Sequence, residues 1–164
     1  MIPRLSAPQA LSASHHFDDF SCGEPVLEDW LKRRARSNQF AGASRTFVVA
    51  DSDGRVWGYY ALAAGAVSHH VATSGVRRNM PDPIPVIVLA RLAVDHRAQG
   101  MKIGAGLLRD AVERTLTVAQ QTGVRALLVH ALHDAAASFY RHYGFQPSTL
   151  DPKTLMLRLG SVRG

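Results

Sequence analysis

A chain of 164 residues, 46% hydrophobic and 20% charged, can bury a substantial core without staples and reads as one domain, 1–164. A single cysteine excludes an internal disulfide, and no apolar run approaches the roughly eighteen residues a spanning helix needs. The net charge of +6 points towards anionic partners rather than a membrane interior.

In chain order, "MIPRLSAPQALSASHHF" has no basic start followed by a continuous apolar core, so no signal peptide is expected and the expected location is cytoplasmic. Cys22 has no activating base near it in sequence and reads as a small packing residue. From Glu24 to about Ala41, Val26, Leu27, Trp30, Leu31 and Ala35 keep helical spacing, with Pro25 suited to the first turn. That helix carries a basic run: no acid lies between Asp29 and Asp51, while Lys32, Arg33, Arg34, Arg36 and Arg45 all do. Arg77 and Arg78 form a second knot. Such cations are either a solvated face or a footprint for nucleic-acid phosphates.

"RTFVVADSDGRVWGYYALAAGAV" reads as two strands around the Asp53-Gly54 turn. The segment Thr73 to Pro85 reads as a flexible connector. Val86 to Val94 is a nearly continuous apolar run, as for a strand buried on both faces, with Arg91 its odd member. After the loop "HRAQGMKIGAG", apolar residues from Ile103 to Ala119 keep helical spacing up to a stop near Gly123. "VRALLVHAL" is another strand, and the strand-helix-strand order predicts that it lies parallel to the Val86 strand. A short helix from Asp134 to His142 and a closing strand in "TLMLRL" complete a mixed α/β class with helices on both sides of a sheet.

The glycine loop fits neither familiar nucleotide pattern. A Walker loop needs Gly-Lys followed by Ser or Thr at a fixed spacing, and the dinucleotide fingerprint opens a long βαβ series. What remains is Arg97-x-x-Gly100-x-x-Ile103-Gly104 between a strand and a helix start, where free N–H groups and the helix dipole can hold a pyrophosphate. Standing alone, the motif is better read as a plain glycine-bearing turn.

It is followed by "ALHDAAASFYRHYGF", residues 131–145. The pair resembles the GNAT acetyltransferase superfamily, in which R/Q-x-x-G-x-G/A meets the acetyl-CoA pyrophosphate and a later helix ends in F-Y-x-x-x-G-F. "FSCGEPVLEDWLKRRA" and "GASRTFVVAD...GYYALAAGAV" narrow this to a resemblance to the GNAT toxins of bacterial toxin-antitoxin systems, from Leu11 to Leu159. The resemblance implies a GNAT fold with a central mixed, splayed β-sheet. It also implies acetyl transfer from acetyl-CoA to the α-amine of aminoacyl-tRNA, a block of translation, and a ribbon-helix-helix antitoxin as partner. Members often form homodimers.

Carried over residue by residue, the resemblance assigns Leu92, Ala93 and Val94 to the pantetheine arm, and Arg97, Gly100, Met101, Lys102, Ile103 and Gly104 to the pyrophosphate loop. Asp134 stands where Asn is common beside the pantetheine, and Tyr140 matches the general acid near the thioester sulfur. Lys102 departs from the pattern, which has Gly or Ala there. At a helix start no positive φ is expected, so a lysine can replace the usual small residue, with its ammonium in reach of a CoA phosphate. Lys32, Arg33, Arg34, Arg36, Arg45, Arg77 and Arg78 are assigned to the tRNA surface. Arg91 reads either as a strand residue reaching an edge carboxylate or, as the resemblance favours, as a contact to a phosphate near the acceptor end.

The chemistry suits these roles. A departing thiolate has a conjugate pKa of roughly 8.5, and a phenol near roughly 10 can hydrogen-bond to it and donate as charge develops. Packing of Tyr140 against Phe139 and Phe145 is the plainer alternative, and Tyr143 reads as a packing residue. An α-amine with pKa near about 8 retains a reactive neutral fraction at pH 7, whereas a lysine needs a strong base. No carboxylate is marked as that base, although Asp95 or His133 could serve from a distance. Eight histidines include two adjacent pairs but no ligand spacing, so no metal is expected. Two alternatives stay open: an ordinary GNAT enzyme acting on a small amine or a protein N-terminus, and a non-catalytic RNA-binding or regulatory domain of this fold.

Overall fold

The computed structural model describes residues 3–160. Its strands are β1 (Gln9–Ala10), β2 (Arg45–Ala50), β3 (Val56–Val67), β4 (Ile84–Val94), β5 (Ala126–His130), β6 (Gln146–Pro147) and β7 (Thr154–Arg158), in the sheet order β1-β2-β3-β4-β5-β7-β6. The helices are α1 (Pro25–Arg33), α2 (Ala35–Ala41), α3 (Ser74–Arg77), α4 (Ile103–Gln121) and α5 (Asp134–His142). β4 and β5 are parallel, with Val86 opposite Ala126 and Leu89 opposite Val129. The β1/β2, β2/β3, β5/β7 and β6/β7 pairs are antiparallel, so the sheet is mixed.

The described residues divide into two compact units, one formed by 3–63 with 90–111, the other by 64–89 with 112–160. In the first, Leu11, Phe17, Phe20, Leu31, Ala35, Val48, Val56, Tyr59 and Ala93 form one buried cluster. Phe20 meets Tyr59 edge-on at 5.7 Å, and Trp30 stacks on Tyr59 at 5.9 Å. Burying each of these large side chains contributes about 1.5–3 kcal/mol, and this core fixes where α1 lies. The helix expected from Glu24 to Ala41 is two, broken at Arg34, whose ψ of −29° is paired with a φ of −122°. Arg34 still donates to Trp30 O at 2.8 Å and accepts from Asn38 N–H at 2.9 Å. The break keeps Leu31 and Ala35 in the same cluster.

The β2/β3 hairpin turns where Asp53-Gly54 predicted. Asp51 organises it, accepting from the N–H groups of Asp53 and Arg55 and from Trp57 Nε1. These donors outweigh the effect of burial and lower its pKa.

In the second unit, Val67, Ala72, Val76, Ile84, Val86, Ala126, Leu128 and Met156 are buried together. The segment expected to be a flexible connector is instead built. Thr73 caps α3, and Arg125 donates to the carbonyls of Gly75, Val76 and Arg78, where the short helix ends.

Candidate active site

Past Val94 the first unit builds the approach to the glycine loop. Asp95 is fully buried, and its carboxylate accepts from Ser21 N–H at 3.1 Å, Arg97 N–H at 3.0 Å, and Arg97 Nε and Nη2 at 2.9 Å each. Burial alone would raise its pKa, but the guanidinium and the two N–H groups hold it at about 2. With both of its oxygens held by these four N–H donors, Asp95 braces the loop and drops from the role of proton acceptor. The turn His96–Ala98 follows, with His96 N–H donating to Ser21 O at 2.8 Å. Gln99 Nε2 donates to Val94 O at 3.1 Å and Cys22 O at 3.4 Å. On the other side Glu28 accepts from the N–H groups of Cys22 and Gly23, which lower its pKa. "FSCGEPVLEDW" and "DHRAQG" are therefore one hydrogen-bonded construction, although more than seventy residues separate Ser21 from Asp95.

The loop itself turns through Gly100 at φ +84° and Lys102 at φ +62°. Lys102, expected at an ordinary helix start without a positive φ, instead occupies the left-handed region, where a side chain costs about 1 kcal/mol or more. The first backbone bond of α4 that reaches outside the helix runs from Gly106 N–H to Lys102 O at 3.1 Å. The N–H groups of Ile103, Gly104 and Ala105 come before it and meet no protein acceptor among the described residues. They sit at the positive end of a 19-residue helix, an arrangement that holds anions. Met101 and Lys102 are exposed beside them.

Arg97 behaves differently from its assignment. Its guanidinium is committed to Asp95, lies 3.9 Å from Asp19 and stacks 4.9 Å over Trp57. The loop therefore offers backbone groups and Lys102, while Arg97 braces it. On β4, Ala93 is buried and Leu92 and Val94 are half-buried. Arg91 reaches no carboxylate among the described residues. It donates to its own neighbour's carbonyl, Ala90 O, lies 5.5 Å over Trp30, and keeps a buried Nε without a partner.

In the second unit α5 runs from Asp134 to His142. His133 caps it, its Nδ1 accepting from Ala136 N–H at 3.1 Å, which engages the nitrogen a base would use. Asp134 is exposed. The helix ends with Phe145 N–H on Tyr140 O and Gly144 N–H on Arg141 O, and Gly144 takes φ +95°. This Schellman arrangement explains F-Y-x-x-x-G-F physically: the glycine accepts the left-handed turn, and Phe145 folds back onto Tyr140 at 5.5 Å. Tyr140 is buried between Phe139 and Phe145, and burial pushes its phenol pKa well up. Tyr143 is the exposed one, edge-on to Phe139 and His142.

Residues 43–147 match the acetyltransferase (GNAT) domain family. This chain belongs to the GNAT acetyltransferases. It is 52% identical over 158 residues to a tRNA-acetylating toxin of Mycobacterium tuberculosis (strain ATCC 25618 / H37Rv), covering 96% of this chain and 95% of the relative. Among solved structures it is similar to AtaT complexed with acetyl-methionyl-tRNAfMet, at TM-score 0.87 and 25% identity over 94% of this chain and 95% of that one. A second likeness is AtaTR bound with AcCoA, at TM-score 0.82 and 25% identity over 94% of each chain.

The acetyltransferase carries its basic residues in two settings. Lys32, Arg33 and Arg34 are exposed on α1 and at the α1/α2 break. Arg36 stacks 4.6 Å over Phe17 and donates to the carbonyls of Ser12 and His15, and Arg45 donates to Gln39 O and Ser44 O. These two retain their charge but also brace the fold. Arg77 likewise donates to His69 O and Ala72 O, and both it and Arg78 belong to the second unit. The histidine pairs fasten loops: His15 accepts from Ser12 N–H, and His69 Nε2 lies 2.8 Å from Met80 O. Among the described residues no group of three His, Cys, Asp or Glu is placed to hold a metal. Sequence reasoning missed Arg125 and the Asp19–Arg55 pair at 2.6 Å, because each acts on a partner distant in the chain, and it missed Glu28, whose bonds to the N–H groups five and six residues back depend on the turn before α1.

Proposed function

We propose that this acetyltransferase moves the acetyl group of acetyl-CoA onto the α-amine of an aminoacyl-tRNA and so arrests translation as a toxin. The observation that carries this is the unpaired basic run. Among the described residues no carboxylate lies within ion-pair distance of Lys32, Arg33, Arg34, Arg36 or Arg45, which leaves their field for phosphates. The 52% identity to a tRNA-acetylating toxin supports the same substrate.

Acetyl-CoA supplies an acyl group activated as a thioester. The unpartnered N–H groups of Ile103, Gly104 and Ala105, with Gly100, Met101 and the Lys102 ammonium, fit its pyrophosphate. Leu92, Ala93 and Val94 are assigned the pantetheine arm, with Asp134 beside it. Tyr140 holds the proton. Burial keeps its phenol protonated across the working pH range, and the same environment makes an expelled thiolate more basic. The amine nitrogen attacks the thioester carbon and the carbon–sulfur bond breaks. The sulfur takes the Tyr140 proton, the new amide loses one to water, and water reprotonates the phenol. An α-amine needs no protein base for this, consistent with the loss of Asp95 from that role.

On this reading Arg91 contacts a phosphate near the acceptor end. A ribbon-helix-helix antitoxin is the neutralising partner, the enzyme works in the cytoplasm, and two copies form a homodimer. Incubation with radiolabelled acetyl-CoA and either charged or uncharged tRNA tests the central step. Label is expected on charged tRNA alone, and label on neither contradicts the proposal.

A further inference from the structure

Phe40 is 96% exposed, whereas no other large hydrophobic side chain among the described residues exceeds 58%. Its position is nevertheless built. It stands in the last turn of α2, where Gly42 N–H donates to Gln39 O at 3.2 Å and Ala43 N–H to Asn38 O at 2.9 Å. Gln39 Oε1 accepts from Thr46 N–H at 2.7 Å, and Arg45 Nη1 donates to Gln39 O at 3.1 Å. The ring is held out on a fixed turn from which folding gains almost no burial.

Its surroundings select the partner. Arg36 lies one helical turn back, and the Arg45 guanidinium lies against the end of α2. Lys32, Arg33 and Arg34 precede it, with no acid between Asp29 and Asp51. An apolar protein partner would call for a contiguous apolar patch, yet the large exposed apolar side chains of α1 and α2 are only Val26 and Phe40. One aromatic face among cations fits an unpaired base flanked by phosphates, the arrangement by which proteins grip single-stranded nucleic acid.

We propose that Phe40 is a stacking platform for an unpaired base of the RNA acceptor, with the neighbouring cations on its phosphates. This rests on the aminoacyl-tRNA reading, but binding can be measured apart from acetylation. The full chain and its Phe40→Ala, Phe40→Leu and Phe40→Trp variants are compared for KM towards aminoacyl-tRNA and towards acetyl-CoA. Their Kd values for a single-stranded RNA oligonucleotide and for a blunt RNA duplex are measured alongside. Phe40→Ala is expected to weaken single-strand binding and raise the aminoacyl-tRNA KM by roughly 10-fold, within the range for base stacking on an aromatic ring. The acetyl-CoA KM and duplex binding stay as in the parent. Phe40→Trp restores binding and Phe40→Leu does not. Parent-like RNA binding by Phe40→Ala, or full rescue by Phe40→Leu, overturns the proposal. So does a Phe40→Ala protein whose light-scattering mass shows lost self-association, which assigns the ring to a second copy. If the parent fails to acetylate charged tRNA while Phe40→Ala still loses single-strand binding, the substrate reading fails and the stacking role stands.

Discussion

Replacing Asp95 by asparagine removes the one fully buried anion of the glycine-loop approach while keeping its shape. In the folded chain its pKa is about 2 against an ordinary 3.8. At about 1.4 kcal/mol per unit, that difference corresponds to about 2.5 kcal/mol of stability at neutral pH. Its partner Arg97 is 38% exposed, so water takes part of the lost interaction and about 2 kcal/mol is expected for the variant. For a chain of this size that lowers Tm by roughly 4–8 °C. The sign follows from a depressed folded pKa: the stabilisation is complete above the unfolded value and is lost as pH falls through the folded one. The gap between parent and Asp95→Asn is therefore full at pH 7 and shrinks to about half near pH 3. Urea unfolding of both proteins at the two pH values, with equal m-values, measures it. A gap that is absent at pH 7, or unchanged at pH 3, refutes the ionic clamp.

Further expectations attach to single residues. Tyr140→Phe should lower kcat by about 10²–10⁴ with acetyl-CoA affinity nearly unchanged, measured by steady-state kinetics and calorimetry; parent-like turnover would remove Tyr140 from the acid role. Lys102→Gly should gain about 1 kcal/mol in urea unfolding by relieving the positive φ, yet bind acetyl-CoA more weakly at low salt. Equal affinity would show that the ammonium contributes nothing. Neutralising Lys32, Arg33 and Arg34 together should flatten the salt dependence of tRNA binding by about two to three units of slope. An unchanged slope would place the tRNA elsewhere.

Local signals were legible in the sequence. The bounds of α5 follow from its periodicity and the glycine behind it, the β2/β3 hairpin from Asp53-Gly54, and the parallel β4/β5 pair from an apolar strand, helix and strand in succession. What was not legible is bonding across the chain. Asp95 looks like any loop acid until Ser21 closes on it from far upstream, and that fixed carboxylate then claims Arg97, two residues on, which by type looks like a phosphate ligand. The Thr73 to Pro85 segment has turn composition, but Arg125 organises it from far downstream. Lys102 carries no local mark of a left-handed residue, since that conformation is imposed by the loop reaching α4. Phe40 lies off the Leu27, Leu31 and Ala35 stripe and one turn beyond Arg36, on the exposed side of α2.

The central claim is tested most directly by the chemical identity of the product. After reaction of the purified chain with acetyl-CoA and charged tRNA, nuclease digestion and mass spectrometry should find the terminal aminoacyl nucleoside heavier by one acetyl group on its α-nitrogen. An aminoacyl nucleoside of unchanged mass, with acetyl-CoA consumed or intact, would contradict the account.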